Sequence, residues 1–75
     1  MNDELKEGTV FNFENEEYVL YKLTEYMNSK YIVSLGYKNP KDVKIFEYKI
    51  EDGKVLIGLE DDDKIKMEIL KKILN

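Results

Sequence analysis

The stretch LEDDDKIKMEILKK, Leu59–Lys72, sets four consecutive acids, Glu60-Asp61-Asp62-Asp63, directly before a run whose apolar residues recur at helical spacing. At about 100° per residue, Ile65, Met67, Ile69, Leu70, Ile73 and Leu74 sweep one broad face, while Glu68, Lys71 and Lys72 occupy the other. Lys66 projects from within the apolar arc, where its stem can lie along the core edge with the ammonium in water. The acids then read as the start of a helix. Asp61, Asp62 or Asp63 accepts from orphan N–H groups of the first turn, and the others complement the positive end of the helix dipole at about 0.3–1 kcal/mol each. A calcium loop needs ligands at alternate positions and a glycine at the sharp turn. Adjacent aspartates diverge, so no metal site is expected here.

Upstream of Leu59 the apolar period is two. "TVFNF" puts Phe11 and Phe13 on one face, "EYVLYKLTEY" alternates Val19, Tyr21 and Leu23 against Tyr18, Leu20 and Lys22, and "KYIVSLGY" repeats the pattern. The polar turn "ENEE" and the turn "MNSK", where Asn28 tolerates a left-handed backbone, separate these runs. "KNPKD" holds the one proline, suited to a type I turn. Asp52-Gly53 between "VKIFEYKI" and "VLIGL" is the strongest hairpin signal, because a type I′ turn needs positive φ at both central residues. Gly58 within the last run suggests a bulge or a close backbone approach.

The expected fold class is therefore α+β: a five-stranded antiparallel meander sheet, open or curled into a half-barrel, with one C-terminal amphipathic helix packed on one face. Residues 1–8 read as a flexible acidic lead-in and residues 9–75 as a single domain. The helix-covered face is expected to gather Phe11, Phe13, Val19, Tyr21, Leu23, Tyr31, Val33, Leu35, Phe46, Tyr48, Ile50, Val55, Ile57 and Leu59. The opposite face carries Tyr18, Leu20, Ile32, Val43, Ile45 and Leu56. Those six are either dispersed or buried by curvature, or they form an apolar strip that meets a protein partner or a second copy. Of the six tyrosines, Tyr18 and Tyr26 are expected to be exposed.

Seventy-five residues make one domain with one core, which buries about 60% of the surface of the unfolded chain and leaves stability thin. Without cysteine there is neither a disulfide framework nor a thiolate zinc site, as a reducing cytoplasm would require. The N-terminus carries acids where a signal peptide carries basic residues, and no window is long enough to span a membrane. A cytoplasmic location is expected. Net charge −4 and pI ≈ 4.8 argue against general affinity for polyanions. All 12 basic residues are lysine, so no guanidinium fork exists for bidentate recognition of phosphate or guanine.

Histidine and cysteine are both missing, which removes Ser–His and Cys–His nucleophiles, the commonest general base and the usual zinc ligands. The glycines are isolated and form no phosphate loop, and no motif singles out a pair of carboxylates. No enzyme activity and no cofactor are expected. "YKNPKDVKIFEYK" mixes lysines with Tyr37, Phe46 and Tyr48 as single-strand binders do, but the acidic total opposes direct nucleic-acid binding. The inverse is physically easier. Glu14, Glu16, Glu17, Glu60, Asp61, Asp62 and Asp63 could stand in for phosphates in the basic groove of a nucleic-acid-binding protein, making the chain an acidic inhibitor of the kind a phage encodes.

The succession "FNFENEEYVLYKL", "KYIVSL", "KIFEYKIEDGKVLIGLEDDDKIKMEILKKIL" resembles the small acidic YrzB-like proteins of unknown function found in Firmicutes, in which an "EYV"-type strand follows a polar turn and a late "DG" hairpin leads into acids and a short helix. The resemblance spans Phe11 to Leu74 and implies a small soluble bacterial protein; it carries no catalytic residues across. The chain is richer in lysine and less acidic than that family. The functional expectation is a non-enzymatic interaction module using the helix-free sheet face, with the acidic inhibitor as the alternative.

Overall fold

In the computed structural model, which describes residues 6–74, five strands precede one helix: β1 (Val10–Phe13), β2 (Glu16–Tyr26), β3 (Ser29–Gly36), β4 (Val43–Glu51), β5 (Lys54–Leu59) and α1 (Asp63–Leu74). Each strand pairs antiparallel with the next, giving the sheet order β1-β2-β3-β4-β5 of an α+β meander. Met1–Leu5 of the acidic lead-in lie outside the described residues. Its last residue already joins the sheet, since the Gly8 N–H donates to the Leu20 carbonyl at 2.7 Å.

Three of the connections are two-residue turns with positive φ at both central positions: Glu14-Asn15 (49°, 69°), Met27-Asn28 (52°, 67°) and Asp52-Gly53 (51°, 77°). That backbone twists with the right-handed strands it joins, so each hairpin closes in tight register, at Phe13↔Glu16, Tyr26↔Ser29 and Glu51↔Lys54. The fourth connection is a β-turn in which the Asp42 N–H donates to the Asn39 carbonyl at 2.9 Å around Pro40. Gly36 precedes it because a side chain there would meet the Asn39 carbonyl oxygen at 2.6 Å. Gly58, by contrast, marks neither a bulge nor a close approach, since β5 pairs regularly and nothing lies within 4 Å of where its Cβ would stand.

The bulge is in β2. Leu20 pairs with Ser34 but Lys22 with Val33, which leaves Tyr21 without a partner. This extra residue reverses the alternation, so Tyr18 and Leu20 before it share a face with Leu23 after it. The bulge separates Leu23 from Val19, and the strand registers mix the rest of the expected facing set, since Phe11 pairs with Tyr18 and Phe46 with Ile32. Tyr31, Val33 and Ile45 face the helix, whereas Phe11, Phe13, Leu23, Phe46, Tyr48 and Ile57 join Leu20 and Ile32 on the other side.

That other side is closed by curvature. In a flat sheet β1 and β4 would stand about 14 Å apart, three spacings of about 4.8 Å. Here the Phe11 and Phe13 rings of β1 lie 5.6 and 4.8 Å from the Phe46 ring of β4, both edge-on, and Tyr18 lies 5.9 Å from it. The sheet is a curled half-barrel with Phe46 wholly buried on its concave side. Ser34, also wholly buried there, donates through Oγ to the Lys44 carbonyl at 2.9 Å, so its hydroxyl carries no desolvation penalty.

Helix α1 lies on the convex side. Ile69, fully buried, packs on Tyr31, Val33 and Ile45, with Ile65, Leu70, Ile73 and Tyr26 around it. Met67 and Leu74 of the expected apolar arc are exposed, because the supporting strands cover only part of that arc. Near the other end the Lys72 ammonium donates to the Glu25 carbonyl and ties α1 to β2. The acidic run resolves into a cap: Asp62 Oδ1 accepts from the N–H groups of Lys64 (2.9 Å) and Ile65 (3.1 Å), while its carbonyl takes the first helical bond from Lys66. Glu60 in turn accepts from the Asp62 N–H, and Asp63 pairs with Lys66 at 3.2 Å.

Two outcomes follow for chemical denaturation. Asp62→Ala should cost about 0.5–2 kcal/mol, whereas Asp61→Ala should stay within about 0.5 kcal/mol of the parent. Phe46→Ala should cost about 3–5 kcal/mol, enough to leave so small a domain largely unfolded in a urea titration.

Candidate interaction surface

The helix-free strip does not form. Of the six residues expected to meet a partner, Tyr18, Leu20, Ile32 and Ile45 are buried, each 3% exposed or less. Leu20 and Ile32 sit under Phe46 on the concave side, Tyr18 packs beside the same ring, and Ile45 lies on the opposite face beneath Ile69. The curl buries Tyr18, Leu20 and Ile32, and the β3–β4 register, which pairs Ile45 with Val33, turns Ile45 to the helix. Only Val43 and Leu56 remain at the surface, at 44% and 49% exposure. Tyr26 is likewise half-buried against the helix cluster rather than exposed.

Three exposed apolar side chains lie on the β4–β5 hairpin, Ile50 at 60%, Leu56 at 49% and Leu59 at 40%. Strand β5 is an edge of the sheet, and its backbone orientation follows from the pairing. The Glu60 N–H donates to the Ile45 carbonyl at 2.9 Å and Leu59 pairs with Phe46. Residues 54, 56, 58 and 60 therefore turn their polar groups toward β4, and Val55, Ile57 and Leu59 turn theirs outward. No strand occupies that outer side among the described residues. Edges of this kind are ordinarily blunted by brevity, proline, bulges or charge. The other edge, β1, is four residues long with Asn12 at its middle, but β5 runs Val55–Leu59 without a charge, a proline or an irregularity. Sequence patterning could have located this surface, because the last strand of a meander with a free outer side must be an edge.

The acidic residues follow the topology. β1 ends, β2 begins and β5 ends at the same end of the sheet, which brings Glu14, Glu16 and Glu17 to the end that carries Glu60–Asp63. A polar cleft lies there, lined by Asn15, Glu16, Glu17, Gly36, Lys38, Asn39 and Asp42. The Tyr18 hydroxyl donates to Glu16 Oε2 at 3.5 Å, and Lys44 pairs with Asp42 at 3.0 Å, so the open end of the concave core is rimmed by partnered polar groups. Burial, then the Glu16 charge, raises the Tyr18 phenol above the ordinary tyrosine value. Burial, then Glu47, does the same for Tyr31, and the hydrogen bond to Asp42 raises Lys44. Among the described residues no group of three or more metal-type side chains converges, and no helix is long and apolar enough to cross a membrane.

Compared with known proteins, the chain matches no family model, no curated protein and no solved structure.

The three raised groups share one sign. Each holds its proton in the folded state above the pH at which the unfolded chain releases it, so its contribution is complete below about pH 10 and is lost as pH rises through the folded value. Stability measured by urea unfolding should fall above about pH 10. The phenolate absorbance titration should show Tyr18 and Tyr31 ionising above the ordinary tyrosine value, with Tyr18→Phe removing one of those late steps.

Proposed function

We propose that this chain is a small, non-enzymatic, cytoplasmic protein-interaction module that engages its partner along the outer side of β5. The single observation that carries the reading is the conjunction of Ile50, Leu56 and Leu59 at the surface with backbone groups of Val55, Ile57 and Leu59 that face outward and meet no strand among the described residues. Such an edge suits strand addition: main-chain hydrogen bonds supply affinity, and alternate side chains on the two faces supply selectivity. The want of histidine and cysteine supports binding over nucleophilic chemistry, and the want of cysteine suits a reducing compartment. The partner surface moves from the sheet face to the sheet edge because the face is filled from within.

Leu56→Lys with Leu59→Lys tests this, since both side chains are exposed and the fold should tolerate the change. Proteins captured from the native cell by the parent chain should be missing from the double variant, whose circular dichroism should match the parent. An undiminished set of captured proteins would sink the reading.

A second reading is favoured by one specific feature, the placement of Glu14, Glu16, Glu17 and Glu60–Asp63 at the same end of the sheet, on either side of the β3–β4 connection. On this reading the chain is an acidic inhibitor that occupies the basic groove of a nucleic-acid-binding protein. Its complex should weaken steeply as salt rises and should be displaced by DNA or RNA. Indifference to both would remove this alternative and leave the edge.

A further inference from the structure

We infer that the partner of β5 is β5 of a second copy of this chain, paired antiparallel about a two-fold axis through Ile57. This rests on the interaction reading above and names its occupant. Four features of the strand agree on that register.

The first is backbone parity. In an antiparallel pair, outward-facing residues must meet outward-facing residues, and with the axis at Ile57 they do: Ile57 meets Ile57 of the second copy, and Val55 meets its Leu59. The second is charge. Lys54 stands opposite Glu60 of the second copy, and by symmetry Glu60 stands opposite its Lys54, so both ends of the ribbon are closed by opposite charges. The third is shape. Leu56 meets Gly58 of the second copy in a non-hydrogen-bonded pair, the kind whose side chains come closest. Gly58 leaves a notch on that face, with no atom within 4 Å of the missing Cβ, and Leu56 beside it is half exposed. Each leucine covers the other copy's glycine, which gives Gly58 a role that no neighbour among the described residues supplies. The fourth is uniqueness. An axis at Leu56 would set Lys54 against Gly58 and Leu59 against Gly53, and an axis at Gly58 would set Leu56 against Glu60. Of these neighbouring registers, only the axis at Ile57 matches apolar with apolar and acid with base. An unrelated extended segment would have no reason to repeat this order in reverse.

Pairing along one short strand is a small interface, so dissociation is expected between about 10 µM and 1 mM. Sedimentation velocity over that range should show the parent chain passing from monomer to dimer. Gly58→Lys fills the notch, with no atom of its own chain within 4 Å of the added Cβ, and it should remain folded and monomeric throughout. Lys54→Glu and Glu60→Lys should each weaken the dimer several-fold. An equimolar mixture of the two variants should recover it, because each mixed ribbon again sets acid against base at both ends. In this cysteine-free chain, Ile57→Cys should oxidise to a covalent dimer, since only that residue meets its own counterpart, and Val55→Cys should not.

A parent chain that stays monomeric to 1 mM would overturn the self-pairing. So would a dimer that survives Gly58→Lys and is not trapped by Ile57→Cys. These failures are distinct from failure of the interaction reading. A monomer whose captured partners disappear with Leu56→Lys and Leu59→Lys would use the same edge for a foreign strand, whereas loss of neither self-association nor capture would discard the edge altogether.

Discussion

The contact between Phe13 on β1 and Phe46 on β4, with ring centroids 4.8 Å apart, is the constraint on which the rest of the molecule depends. Strands that are not neighbours can meet in this way only if the sheet between them bends, so the ring pair and the curl imply one another. Two local devices make the bend affordable. Three two-residue turns twist with the strands, and the extra residue at Tyr21 bends β2 where it is longest. Bulge and curl together convert a layer that would need two covers into one that needs a single helix. With only 75 residues, this is how both faces of the sheet can be shielded from water.

The two cores that result differ in kind. The convex one is aliphatic in its centre, Val33 and Ile45 against Ile69, and depends on the helix staying docked. The concave one is aromatic and built by the sheet alone, with Phe46 touching Phe11, Phe13 and Tyr18 edge-on. Its open end is rimmed by Glu16, Tyr18, Asp42 and Lys44, whose mutual pairing lets polar groups stand next to the aromatic cluster without orphaned atoms. Acid caps serve the helix at the same end of the sheet. The acidic run is thus divided between local duty, in Glu60 and Asp62, and solvent-facing charge, in Asp61.

Curvature also decides where the molecule can meet others. Once the concave face is filled by its own aromatic rings, the sheet keeps no open apolar face among the described residues, while Leu56 and Leu59 stay exposed along its β5 edge. β1 is short and turns its phenylalanines inward; β5 is longer, regular and free of blocking charge between Lys54 and Glu60. Interaction along an edge, through backbone groups and alternate side chains, is what such a shape supports.

Element identity, order and turns were legible in the sequence because each rests on neighbours along the chain. The period-two runs became β1 to β5, Asn39-Pro40 and Asp52-Gly53 became turns, and the shift to helical spacing after Leu59 became α1 with an aspartate as its cap. Nothing local distinguished Asp62 from its neighbours as that cap, since the choice depends on where the first helical bond begins. The face assignments failed in two ways: the one-residue bulge at Tyr21 leaves the run of side-chain types unchanged while it sets Leu23 on the opposite face from Val19, and no single strand records the registers that set Phe11 opposite Tyr18 and Phe46 opposite Ile32. The burial of Tyr18, Leu20 and Ile32 was hidden for a different reason: it is conferred by Phe11, Phe13 and Phe46, which are brought over them by a curl spanning four strands. Sequence by itself determined the strands, the helix and the order in which they pair; tertiary structure alone decided which side chains face water, because exposure is set by how far the whole sheet bends and not by any run of adjacent residues.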